Sequence, residues 1–161
     1  MRTTIISLYM FLVLLFAGGA PNSACASGGG GWAPVRQYDS DLDRATQAIK
    51  AKEYERAISH LNAVVARDNQ NAEAYNLLGF SERMRGDLDA AFKHYERALA
   101  IDPKHRGAHE YVGETYLLAG NLPKAEEHLA ILDKLCFFSC EEYRDLKAAI
   151  ATYRAKHQQS K

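Results

Sequence analysis

Three residue pairs in this 161-residue chain have types and spacings that could do chemistry. Cys136 and Cys140 stand four positions apart, about one helical turn, within reach of a disulfide if the local backbone relaxes. In an oxidising compartment such a pair is expected to be a structural staple. The ring is small, so its chain-entropy contribution is about 2 kcal/mol, suited to securing a joint rather than holding a fold. Reduced buried thiols, a redox-active pair and a metal site are the alternatives. The spacing is C-x3-C rather than the C-x2-C of thiol redox motifs, and no second pair of ligands lies nearby in sequence. His105 and His109 have an H-x3-H spacing that can set two imidazoles on one helix face. No Glu follows the first histidine directly and no third ligand is evident, so packing is expected and no metal is assigned. Glu110 and Glu114 place two carboxylates one turn apart. General acid–base work needs a pocket and companion groups. Neither is visible, so no catalytic residue is assigned and the chain is not read as an enzyme. Like charges at that spacing cost a few tenths of a kcal/mol, so an offsetting group is expected near them.

These pairs belong to a chain with a regular period. Residues 72–105 carry Tyr75 and Leu78 before Gly79, a turn at Gly86, and Ala91, Tyr95, Ala98 and Pro103 beyond it. Gly79 and Ala91 are small residues on two successive helical patterns, which lets the helices approach closely. Tyr75, Leu78, Leu88, Phe92, Tyr95 and Leu99 supply the bulk that fills the seam. At this spacing the stretch resembles a tetratricopeptide repeat (TPR), with Glu82 the one departure, where the pattern usually has tyrosine. A weaker copy covers 38–71, with Ala45, Tyr54, Ala57, Ile58 and Leu61 in register and Asp41 and Arg44 where large apolar residues belong. A third covers 106–139 through Gly113, Tyr116, Gly120, Ala125 and Leu129, while His109, Leu132 and Phe137 break the pattern. Asp87 and Asn121 read as N-caps and Pro123 suits a first helical turn. Leu42, Ala45 and Ile49 mark the first helix, with Asp39 or Ser40 as its cap.

Residues 141–157 read as a closing helix. Tyr143, Leu146, Ala149, Ile150 and Tyr153 form its apolar face; Glu142, Arg144, Asp145, Lys147 and Arg154 form a polar outer side. The fold class that follows is all-α: an α-solenoid of three helix-turn-helix units over 39–139, then a C-terminal closing helix and tail over 140–161.

The N-terminus has a different character. Arg2, an apolar run from Ile5 to Phe16 and a small-residue tail ending in Ala24-Cys25-Ala26 read as a secretory signal over 1–26, cleaved before Ser27. The run is too short to span a bilayer comfortably, so no membrane span is expected after cleavage and the periplasm is the expected location. The rival is a lipid anchor on Cys25, against which stand the polar Asn22 and the distance of Cys25 from Phe16. Residues 27–38 form a flexible, Gly-rich lead-in, with Trp32 as a cap on the first helix pair or as an anchor for a partner. Twenty basic residues balance twenty acidic ones, so no net field argues for nucleic acid.

The resemblance implies a concave groove lined by the first helix of each unit. In this sequence that places Asn76, Phe80, Arg83, Met84, Glu110, Glu114, Leu117 and Leu118 there, with Phe80, Met84 and Leu117 as an apolar floor. Arg83 is expected on one wall, and Glu110 and Glu114 on the other. The basic and asparagine clamp by which some members hold a C-terminal carboxylate is not matched, since Leu42, Thr46 and Glu110 occupy clamp-like places. The reading is an exported adaptor that holds a protein or peptide segment in its groove, needs no cofactor, and serves envelope assembly, secretion or protein maturation. The alternative is a small thiol-redox or metal-handling factor using Cys136 and Cys140, and self-association through the concave or terminal faces is a third option.

Overall fold

The structure, a computed structural model, describes residues 40–158. The expected signal (1–26), the lead-in (27–38) with Cys25 and Trp32, and Asp39 as a cap lie outside the described residues. Among those described there are seven α-helices and no strand: α1 (Ser40–Lys50), α2 (Tyr54–Arg67), α3 (Ala72–Arg85), α4 (Leu88–Ile101), α5 (Arg106–Leu118), α6 (Leu122–Leu135) and α7 (Glu141–Gln158). Each helix packs on the next up to α6, α5 also touches α3, and α7 lies against both α5 and α6. The described residues therefore form three helix pairs in succession with α7 where a further first helix would stand. This is an all-α solenoid. No described helix is long and apolar enough to cross a membrane.

Local chemistry sets the boundaries. Asp87 Oδ1 accepts the backbone N–H of Ala90 at 3.0 Å, and Asn121 Oδ1 that of Lys124 at 3.2 Å, as their types predict. Two further caps carry no such forecast: Asn71 on Ala74 and, less usually, the His105 ring on Ala108. The turns inside the second and third pairs use Gly86 and Gly120 at φ +90° and +77°. These left-handed values favour glycine. The first pair makes the equivalent turn with Lys52 at φ 60°.

The seams follow the register. A Cβ on Gly79 would lie 2.6 Å from Cε1 of Tyr95, so glycine there makes room for a fully buried ring. In the third pair the partner changes. A Cβ on Gly113 would meet Leu146 of α7 at 2.6 Å, so the closing helix fills the space against that glycine. Leu132, out of pattern in sequence, is fully buried with Leu146 and Ile150. Each such leucine contributes about 1.5–3 kcal/mol of burial. Asp41, also out of pattern, ties α1 to α2 by accepting from Arg67 Nη1 at 2.9 Å. Cys136, just after α6, and Cys140, just before α7, are joined in a disulfide that staples this joint.

Candidate functional site

Helix α5 is the pivot because consecutive residues on it point into different surroundings. His109 enters the α5–α6 seam and is 5% exposed. Its Nε2 lies 3.1 Å from the carbonyl oxygen of Pro103 and its Nδ1 2.9 Å from Nδ1 of His128. Only a ring nitrogen bearing hydrogen can donate to that carbonyl, so His109 Nδ1 is the acceptor and His128 Nδ1 the donor. Burial pushes the His128 pKa down to about 4, with His109 and Lys124 adding to the shift. His128 also stacks on Tyr116. The packing role expected for His109 is what the structure places there. His105 does something else: Nδ1 caps α5, while Nε2 donates to Glu73 Oε2 at 3.0 Å, a bond that raises the His105 pKa. The H-x3-H pair is thus divided between two sites.

Glu110, one residue on, faces a cleft of about 400 Å³. Helix α3 contributes Glu73, Asn76 and Leu77 to it; His105, Gly107, Glu110 and Tyr111 come from the start of α5; α7 contributes Glu141, Glu142 and Asp145. The lining therefore holds five carboxylates and neither lysine nor arginine. Glu110 is only 9% exposed, and no hydrogen bond or ion pair from another described residue reaches its carboxylate. Burial drives its pKa up to about 8, with Glu114, Asp145 and Glu142 pushing the same way and Arg83 opposing. Asn76, 2% exposed, donates weakly to Glu73 at 3.4 Å and leaves its buried Oδ1 without a partner.

The residues expected in the groove fall into three sets. Asn76 and Glu110 line the cleft. Beside it, Phe80, Arg83 and Glu114 form a closed cluster. Arg83 lies over the rings of Phe80 and Tyr111 at 5.3 and 5.6 Å and donates to Glu114 Oε2 at 2.7 Å. The expected opposition of an arginine wall to a Glu114 wall is corrected: the two are bonded to each other, and only Glu110 is left over. Met84 is exposed, and Leu117 packs against the cluster of Ala125, Leu132, Leu146 and Ile150, so these two do not join Phe80 in a floor at the cleft. A second correction concerns α7. Glu142 and Asp145, expected on a polar outer side, both line the cleft, because α7 packs beside α5 and brings its acidic first turns next to Glu110.

Two sequence models, both described as tetratricopeptide repeat, match residues 42–106 and 83–150. A DnaJ protein P58IPK homolog of Arabidopsis thaliana is 34% identical over 96 residues, which is 59% of this chain and 19% of that protein. Among solved structures, the Yersinia enterocolitica type III secretion chaperone SycD, in complex with a peptide of the translocator YopD, superposes with a TM-score of 0.62 at 20% identity. The match covers 75% of this chain and 92% of SycD. The second TPR domain of human RPAP3, in complex with the HSP70 peptide SGPTIEEVD, gives 0.61 at 22% identity over 68% and 92% of the two chains. At these identities the two structures bear on the fold.

Proposed function

Since the chain belongs to the tetratricopeptide-repeat family, its two matched segments together running from residue 42 to 150, we propose that it is a peptide-binding scaffold whose site is the face shared by α3, α5 and α7. The observation that carries this reading is the open cleft itself. Buried polar groups without partners lie between the first helices of neighbouring units, where a third element has room to sit. Next to it the rings of Phe80, Tyr54 and Tyr111 form an aromatic row, with Phe80 5.1 Å from Tyr111 and 6.5 Å from Tyr54, and such rings are common anchors for a bound segment. Two proteins of the same fold were solved with peptides bound, which supports the reading by analogy of architecture.

The test is a displayed library of random decapeptides selected against the purified chain. Selected peptides should compete with one another for a single site. They should lose binding to Gly107→Trp, which puts an indole into the cleft, and to Phe80→Ala, provided circular dichroism shows both variants folded. Peptides that bind both folded variants as well as the parent would exclude this face as the site.

Export is part of the proposal, on the apolar run Ile5–Phe16 and the Ala24-Cys25-Ala26 site. Mass spectrometry of the chain from cells is expected to find Ser27 at its N-terminus. A chain beginning at Met1, or at a lipid-modified Cys25, would overturn it.

A further inference from the structure

We propose that the cleft between α3, α5 and α7 is a receptor for one basic side chain, lysine or arginine, of the polypeptide bound on this face; this rests on the peptide-binding reading above. The argument begins from hydrogen-bond inventory. Glu110 offers a carboxyl group on a residue only 9% exposed that no described side chain bonds, and Asn76 offers a buried amide oxygen without a donor. Of the donors nearby, the ring of His105 and the amide nitrogen of Asn76 both serve Glu73 and Arg83 Nη1 serves Glu114, while Arg83 Nε is buried without a partner but belongs to a side chain that does not line the cleft. A cleft whose lining carries five carboxyl groups and an unpaired amide oxygen, and neither lysine nor arginine, is complemented by a donor-rich cation. An ammonium has three donors and no acceptor, a guanidinium five and none.

Charge points the same way. Glu142 and Asp145 from α7 and Glu114 on α5 each oppose ionisation of Glu110, and the one cation acting on it, Arg83, is already bonded to Glu114. A buried carboxylate without a counter-ion is costly, and an incoming cation removes that cost. The Tyr111 ring in the lining adds an aromatic face for a cation. A metal ion is the less suitable occupant, because no three His, Cys, Asp or Glu side chains of the described residues converge at metal-holding distance. The volume, about 400 Å³, has room for a long side chain.

Binding of a cation and ionisation of Glu110 are then one event. The groups facing this carboxyl are Glu114 on its own helix, Glu142 and Asp145 from α7 and Arg83 from α3, with Glu73 and His105 completing the rim. In the empty cleft Glu110 keeps its proton up to about pH 8. An ammonium displaces that proton, so affinity should rise with pH up to that value.

The experiment follows the Glu110 carboxyl by carbon NMR in the full chain while Nα-acetyl-lysine methylamide is added. The expected result is a Glu110 titration near pH 8 that moves to lower pH and saturates with the probe, and no movement with the neutral isostere Nα-acetyl-norleucine methylamide. Glycinamide, a free α-amine, and spermidine test the other sources of the same chemistry. Movement with either of these and not with the lysine probe would overturn the side-chain assignment. In the decapeptide selection, one lysine or arginine should recur at a fixed position. Glu110→Gln should weaken such peptides by on the order of thirtyfold or more, the effect of removing one partner of a buried charge pair. Gly107→Lys, which tethers an ammonium at the cleft, should lower the Glu110 titration without any probe. Selected peptides that lack a basic position and bind Glu110→Gln as well as the parent would sink this inference while leaving peptide binding intact. A selection that enriches nothing removes both.

Discussion

His109 and Glu110 are neighbours on one helix, almost equally buried, and opposite in what burial has done to them. The histidine sits in the α5–α6 seam with a partner on each ring nitrogen. The glutamate sits at the cleft with none, held close to neutrality by its surroundings. Buried polar groups are ordinarily satisfied, so the surroundings of His109 in the α5–α6 seam are what a finished interior looks like. Under the proposed function the cleft is an interior that awaits one component. On α5 the difference sets a satisfied burial directly beside the one we propose for binding.

The largest effects should come from the seam. Gly79→Val puts a Cβ within 2.6 Å of a ring that is fully buried and has nowhere to move. Ala91→Trp overpacks a second site with no exposure. Each should cost about 3 kcal/mol or more, above the middle of the range for overpacking because the neighbours cannot yield. Urea denaturation measures it, and an unchanged midpoint for either variant would break the seam side of the comparison.

The histidine pair comes next. The folded pKa of His128, about 4, lies below the ordinary 6.5. Between those values the unfolded chain binds more protons, and stability falls as pH drops from 6.5 towards 4. His128→Phe keeps a ring against Tyr116 but leaves His109 Nδ1 without a donor. It should lose about 1–3 kcal/mol at pH 7, the penalty of an unmet buried acceptor, and show a shallower decline on acidification. A variant with the parent's acid limb would mean that His128 is not the titrating group.

Much of the seam was legible in the sequence and little of the cleft. Gly79, Tyr95, Asp87, Asn121 and Pro123 recur at fixed offsets because one helix–turn–helix solution repeats, and the Cys136–Cys140 pairing follows from two thiols one turn apart at a joint. The cleft depends on how a helix without a pair is seated. Glu142 and Asp145 read as solvated charges on the far side of α7; only the packing of α7 beside α5 turns them towards Glu110. The Arg83–Glu114 bond spans 31 residues and joins two groups that the register alone set on opposite walls. His128 carries no local signal at all, because what makes it matter is the ring it meets across the seam.

The cleft side is sharpened by a smaller effect of opposite sign. The Glu110 pKa of about 8 lies above the ordinary 4.5, so the folded chain holds more protons in that window. Stability should therefore fall as pH rises from 4.5 through 8. Glu110→Gln removes the charge and keeps the shape, so it should be more stable than the parent by about 1–2 kcal/mol at pH 8.5, with the gain vanishing below pH 4.5. Residues that matter for the fold lose stability when changed; this one gains it. A destabilised Glu110→Gln at pH 8.5 would place Glu110 among the structural groups and erase the distinction drawn from its lack of partners.

The smallest effect is expected at the joint between α6 and α7, which contrasts with both regions. Phe137 and Phe138 are 92% and 86% exposed, held out on the short ring that the disulfide closes, and their rings meet only each other among the described contacts, edge to face with centroids 4.9 Å apart. Apolar groups that remain in water when the chain folds have no burial energy to lose. Phe137→Ser with Phe138→Ser should therefore leave the urea midpoint within about 0.5 kcal/mol of the parent, the usual range for surface changes. Phe137 marks the physical limit of the repeat pattern here: it occupies the place where the central unit has Pro103, at a joint made by a disulfide instead of a proline turn. Should the double variant unfold markedly earlier at high protein concentration and not at low, these rings would be buried against a second copy of the chain. Light scattering against concentration, run on parent and variant together, separates that outcome from a purely local one. A loss of stability at every concentration would show instead that the joint packs more tightly than its exposure indicates, and that α7 depends on it for its place beside Glu110.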